Sequence, residues 1–130
     1  MKQRIVFLTM MLLASFTVIG QNRAETPSGP SIQFEQEVYD YGTIKQYSDA
    51  TCQFEFKNAG KQPLVITKVV TSCGCTVPDY PKSPIMPGET SQLQVTYDSS
   101  KLGKINNQIV VRTNAEEGTV ILKIKGKVTQ

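Results

Sequence analysis

The chain has 130 residues, with 14 basic and 11 acidic side chains and neither histidine nor tryptophan, a length that suits one domain. Without imidazole there is no Ser-His or Cys-His dyad and no ordinary neutral-pH general base. Lys2 and Arg4 lie in the apolar leader described next, so the rest of the chain carries 12 basic against 11 acidic side chains. That balance predicts no basic face, and leaves nucleic-acid binding and attraction to anionic lipid without an electrostatic basis.

Residues 1–20 read as a secretory signal peptide: a basic start, then the apolar run Ile5 to Ile19, then Gly20 as the expected cleavage point. The run is shorter than the roughly 20 residues a spanning helix needs, so no stable membrane anchor is expected after cleavage. No cysteine lies near Gly20, so a lipid-modified amino terminus is not expected. The domain is then exported, to the periplasm or outside the cell, where disulfides form and persist.

Residues 21–31, with Pro27, Gly29 and Pro30 among small polar side chains, are expected as a flexible linker, and residues 32–130 as the domain. From Ile32 the apolar residues recur with period two, the spacing of half-buried strands. Ile32 to Phe34 and Tyr41 to Ile44 give two short opening strands. Ala50, Cys52, Phe54 and Phe56 alternate with Thr51, Gln53, Glu55 and Lys57. Asn58 to Lys61 supplies a turn before Leu64 to Val70, whose β-branched residues favour extended backbone. Later strands carry Leu93, Val95 and Tyr97; then Ile105, Ile109 and Val111; then Val120, Leu122, Ile124 and Val128. Turn signals at Pro87-Gly88, Asp98 to Gly103 and Asn114 to Gly118 separate them, which predicts an all-β, immunoglobulin-like antiparallel sandwich of about seven strands. Lys123, Lys125 and Lys127 form the polar face of the last strand, read as a solvated row or as protection of a sheet edge.

The ordered elements Asp40 to Ile44, Phe54 to Gly60, Pro63-Leu64 with Ile66, Ser72 to Thr76, Ile85 to Glu89, Gly103, Val111 to Asn114 and Gly126 to Val128 make the chain resemble the bacterial DUF1573 family. That family is similar in turn to the immunoglobulin-like major-sperm-protein and ASPM/SPD-2/Hydin superfamily. The resemblance implies a seven-stranded sandwich, often exported, of binding or scaffold type rather than an enzyme. It supplies no ligand.

Ser72-Cys73-Gly74-Cys75-Thr76 holds two of the three cysteines. Two residues apart on an extended strand their Cα atoms would be about 6.6 Å apart, the outer limit for a disulfide. A bridge between Cys73 and Cys75 therefore requires a tighter turn, for which Gly74 is expected to supply the backbone freedom. The pair is read first as a loop staple or as packed thiols, and second as a redox pair. Adjacent thiolates also suit Cu(I) or Zn(II), with Met86 as a further donor, but too few ligands are present, and no metal or cofactor is expected. Cys52, in phase with two phenylalanines, is expected to face the core as a buried thiol, and a bridge from it to Cys73 or Cys75 stays open. Asp40, Asp79, Glu89 and Asp98 are read as turn and capping groups. Tyr39, Tyr41, Tyr47, Tyr80 and Tyr97 are read as packing residues with interface anchoring as the alternative.

Two functions follow as expectations. The first is an exported, non-catalytic module that binds a protein or cell-envelope component through loops and a strand edge. The second is a thiol-disulfide or soft-metal-handling protein acting through Cys73 and Cys75.

Overall fold

The computed structural model describes Gly20 and residues 28–130. Residues 1–19 of the expected export signal and 21–27 of the expected linker lie outside the described residues. Eight strands follow in order: β1 (Ile32–Phe34), β2 (Val38–Lys45), β3 (Thr51–Asn58), β4 (Ile66–Thr71), β5 (Thr76–Asp79), β6 (Thr90–Tyr97), β7 (Gly103–Thr113) and β8 (Thr119–Thr129). They form two four-stranded sheets, ordered β1-β3-β6-β5 and β2-β8-β7-β4.

The period-two pattern explains how the sheets meet. Phe54, Phe56, Leu93 and Val95 from the first sheet, and Ile105, Ile109, Val111, Leu122 and Ile124 from the second, are all buried in the space between them. Fully burying such a side chain stabilises the fold by about 1.5–3 kcal/mol. Closing a three-residue disulfide loop contributes about 1.6 kcal/mol in the chain-entropy model. The core, not the cysteine corner, holds the sandwich together.

Four features differ from the sequence reading. β5 was hidden by Pro78, which lies within it. Tyr97 donates its backbone N–H to Ala50 O, on the β3 side of β6, so by strand alternation the backbone groups of Val95 also point toward β3. Pro78 is paired opposite Val95, and its missing N–H therefore falls on the open side of an edge strand, where proline is tolerated. The sandwich is also not wholly antiparallel. β2 runs parallel to β8, with a register shift between Asp40 and Thr43; alternation fixes faces but not the direction of a partner strand.

The end of the expected linker belongs to the domain. Ser31 is buried, its carbonyl accepts from the Ala59 N–H, and Gly29 O accepts from the Lys61 N–H. Finally, β8 is an inner strand, between β2 and β7, so its lysine row protects no edge.

Asn58, fully buried, ties the loops at one end. Its Nδ2 donates to Gln62 O at 2.7 Å and Ile85 O at 2.9 Å, while its Oδ1 accepts from the Gly60 N–H at 3.0 Å and the Ser31 N–H at 3.4 Å. Every hydrogen-bonding position of this amide is used, which is what a buried polar side chain requires.

Candidate functional site

The Cys-Gly-Cys segment is the corner where the chain leaves β4, an edge of the second sheet, and enters β5, an edge of the first. Cys73 and Cys75 are joined as a disulfide with Cα atoms 5.3 Å apart, inside the usual range. The shortening comes from a turn closed by the Thr76 N–H on Cys73 O at 3.3 Å. Thr71 Oγ1 donates across the same turn to Cys73 O at 2.9 Å. The Ser72 N–H bonds Gln108 O and Ser72 Oγ accepts from the Gln108 N–H, both at 3.0 Å. The corner is thus fastened to β7 on one side, and on the other to the end of β6 through the Asp98 N–H on Cys75 O at 2.8 Å.

The two sulfurs are not equivalent. Cys73 is half-buried and Cys75 is buried. Asn107 Nδ2 donates to Cys75 Sγ at 3.3 Å and to Thr76 Oγ1 at 2.9 Å. Cys73 Sγ accepts from the Cys75 N–H at 3.1 Å, so each sulfur has a donor that stabilises a thiolate formed there on reduction, and the difference between them is one of exposure.

The role expected of Gly74 is not needed. Its φ lies outside the left-handed region, and a Cβ built on it would meet nothing within 4 Å. The hydrogen bonds of Thr71, Ser72 and Thr76 shape this turn, and a side chain at position 74 would point into open space.

Cys52 is buried and unbridged. Its sulfur is 3.4 Å from the Tyr41 hydroxyl, which also donates to Ala50 O at 2.7 Å. Burial pushes the Cys52 thiol above its ordinary value, against the opposing pull of the Tyr41 hydrogen bond. Burial, then the contact with Cys52, pushes the Tyr41 hydroxyl up as well. Both groups stay protonated at neutral pH.

Met86 does not join the cysteines. It sits in the turn before β6, where Glu89 N–H bonds Met86 O and Asn58 N–H bonds Glu89 O, whereas the cysteine corner lies by Asp98 at the far end of that strand. Three of the four carboxylates expected in turns serve them: Asp40 accepts from the Gly42 N–H, Glu89 from the Met86 N–H, and Asp98 from the N–H and Oγ of Ser100, whereas Asp79 ends strand β5 opposite Gln94. The Ser100 hydrogen bonds hold the Asp98 carboxyl below its ordinary value.

Four of the five tyrosines pack. Tyr39 and Tyr41 stack edge to face at 4.9 Å, Tyr97 is buried, and Tyr80 lies under Lys82 Nζ. Tyr47 does not: it is 78% exposed, with φ at 65°, the described residue other than glycine that occupies the left-handed region. It stands third in a turn closed by the Ser48 N–H on Lys45 O, a position that favours glycine or asparagine.

The surrounding structure enforces that conformation. Gln46 N–H bonds Thr129 O at 2.7 Å, Tyr47 N–H bonds Ser99 O at 3.2 Å, and Gln46 Nε2 donates to Ser100 O at 2.8 Å. These bonds tie the turn to the end of β8 and to the β6–β7 loop, which begins at the Asp98 that contacts the cysteine corner and carries the half-exposed Leu102. One end of the sandwich therefore gathers an exposed aromatic on strained backbone, an exposed leucine and the bridged cysteines. From sequence, Tyr47 was one tyrosine among five. The signal that singles it out is the link from Lys45 to Ala50, which must reverse the chain without a glycine.

Comparison with solved structures shows the fold. A protein of unknown function from Porphyromonas gingivalis W83 aligns with a TM-score of 0.66 at 18% identity, over 79% of this chain and 49% of that one. The present chain thus spans about half the length of that protein. The ASH/PapD-like domain 7 of human CEP192 aligns with a TM-score of 0.67 at 8% identity, over 82% of this chain and 90% of that one. The Acinetobacter baumannii CsuC-CsuE chaperone-tip adhesion subunit pre-assembly complex aligns with a TM-score of 0.55 at 11% identity, over 76% of this chain and 57% of that one. No curated protein matches the chain in sequence. Residues 32–128 match the family described as "Protein of unknown function (DUF1573)", and the chain belongs to that family.

Proposed function

We propose that this protein is an exported, non-catalytic binding or scaffold module of the cell envelope, whose protein-binding surface is the end formed by the Tyr47 turn, the Leu102 loop and the cysteine corner. The observation that carries the reading is Tyr47. An exposed aromatic held at a backbone angle that costs a non-glycine residue about 1–2 kcal/mol contributes little packing in return. Strain of this kind points toward function, and exposed tyrosines anchor interfaces. The PapD-like likeness supports a module that works by presenting surfaces. A photo-crosslinking residue at position 47, in protein expressed in its native compartment, should yield one saturable adduct, while the same residue at Gln92, on the far sheet, should not. Equal labelling at both positions, or none at 47, refutes the assignment.

The unequal exposure of the two sulfurs favours a second reading, thiol-disulfide exchange. A partner thiolate attacks the more exposed Cys73 Sγ, the sulfur–sulfur bond breaks, and its electron pair leaves on Cys75 Sγ, where Asn107 donates. A second thiolate of the same partner then displaces Cys73, so that the partner is oxidised to a disulfide and the pair is reduced. Thiol titration with mass mapping before and after mild reductant tests this, and a pair that does not exchange removes it.

A further inference from the structure

The balance of 12 basic and 11 acidic side chains beyond the leader gives no reason to expect a charged face, yet the register creates one. On the outer side of the β2-β8-β7-β4 sheet, Lys104 is paired opposite Lys127, Asn106 opposite Lys125, Gln108 opposite Lys123, and Lys68 opposite Arg112. In β2, Lys45 is opposite Thr129 and Asp40 is opposite Lys125. The face thus carries seven cations against a single carboxylate, that of Asp40, which accepts from the Gly42 N–H. Glu116 and Glu117 lie at one end, in the β7–β8 turn. The other large face, built on β3 and β6, presents Thr51, Gln53, Glu55, Lys57, Thr90, Gln92, Gln94 and Thr96, an almost neutral surface.

The cations do not neutralise one another. Lys104 and Lys127 are directly opposed across neighbouring strands, an arrangement that destabilises a sheet unless an anion offsets it. Between the cations runs an apolar row: Val70 opposite Val110, Val110 opposite Ile121, and Val38 nearby opposite Lys123. Ile121 is 54% exposed and Val38 46%.

We propose that this face docks on an anionic phospholipid surface. Three properties select that occupant. The charge is spread across four strands of one sheet face rather than gathered at one point, which suits a surface of many headgroups. The valine and isoleucine row can enter the headgroup boundary while the lysine stems lie along it and keep their ammonium groups at the phosphates. The face carries no aromatic residue for stacking bases, the feature that single-stranded nucleic acid needs. The proposal is independent of the Tyr47 surface, which lies at the end of the sandwich.

The test is sedimentation of the full chain with phosphatidylcholine vesicles, with and without phosphatidylglycerol. The leader carries Lys2 and Arg4 and so responds to lipid charge as well, but it is the same in every variant, and the share owed to the face is read as the difference between variants. Binding should be stronger to the phosphatidylglycerol vesicles and should weaken as salt rises. The variant Lys104→Gln, Lys125→Gln, Lys127→Gln should lower the face's share of that binding on the order of 100-fold. Lys57→Gln, on the other face, should leave it unchanged, and circular dichroism confirms that each variant folds. Equal binding to both vesicles, no response to the triple substitution, or capture by polyglutamate or RNA but not by phosphatidylglycerol vesicles would each overturn the proposal.

Discussion

Replacing Tyr47 by glycine separates packing from function. The turn holds position 47 at φ 65°, a conformation glycine adopts freely and other residues adopt at a cost of about 1–2 kcal/mol. Against that gain stands the greater freedom of glycine in the unfolded chain, about 0.4–1 kcal/mol. Because the side chain is 78% exposed, its removal forfeits little buried surface. The net expectation for Tyr47→Gly is a change between zero and about 1.6 kcal/mol of added stability, or a midpoint raised by up to about 8 °C in a domain of this size. Binding at the proposed surface should fall at least about tenfold, as for loss of an aromatic anchor. Tyr47→Val should destabilise, since a β-branched residue fits the left-handed region poorly. Thermal unfolding by circular dichroism reads the first quantity and partner titration the second. If Tyr47→Gly unfolds more than about 1 kcal/mol more easily, Tyr47 holds the turn by packing and the argument from strain fails.

Asn58→Ala removes four side-chain hydrogen bonds at a fully buried position and should cost about 2–4 kcal/mol, measured as a shift in urea midpoint. Asn58→Asp keeps the acceptor but sets a carboxylate against the Gln62 and Ile85 carbonyls, and should be no more stable. Tyr41 and Cys52 keep their protons in the folded state above the pH at which they ionise in the unfolded chain, so folding stability should fall as pH rises through and beyond about 9. The double variant Tyr41→Phe, Cys52→Ala should flatten that alkaline limb. Replacing Cys73 and Cys75 together by serine should lower stability by no more than about 1.6 kcal/mol; a larger loss in urea denaturation would mean that the bridge supports the core.

Fold class was legible because burial on one face of a strand imposes a period of two. Cys52, Phe54 and Phe56 announced their strand, and they lie where alternation puts them. β5 was not legible, because Pro78 reads as a breaker unless one knows that its nitrogen faces outward from an edge. The parallel β2–β8 pair was hidden for another reason: pairing direction leaves no mark on a single strand. The same gap concealed the basic face, since Lys68 and Arg112, or Lys104 and Lys127, become neighbours only through the register. At the cysteine corner the spacing announced a turn but assigned it to Gly74, whereas the polar groups of Thr71, Ser72 and Thr76 make it. Those bonds reach carbonyls and amides distant in the chain, which local spacing does not reveal.

The position of β8 also governs when this molecule can assemble. Residues 119–129 are the rail between β2 and β7, so these two strands are joined only once β8 has been made. The β4–β7 pair can form earlier, but β2 has no neighbour in its sheet until β8 arrives. A polypeptide built in this order can close its first sheet while β2 still hangs loose, and one late strand then locks both halves of the second.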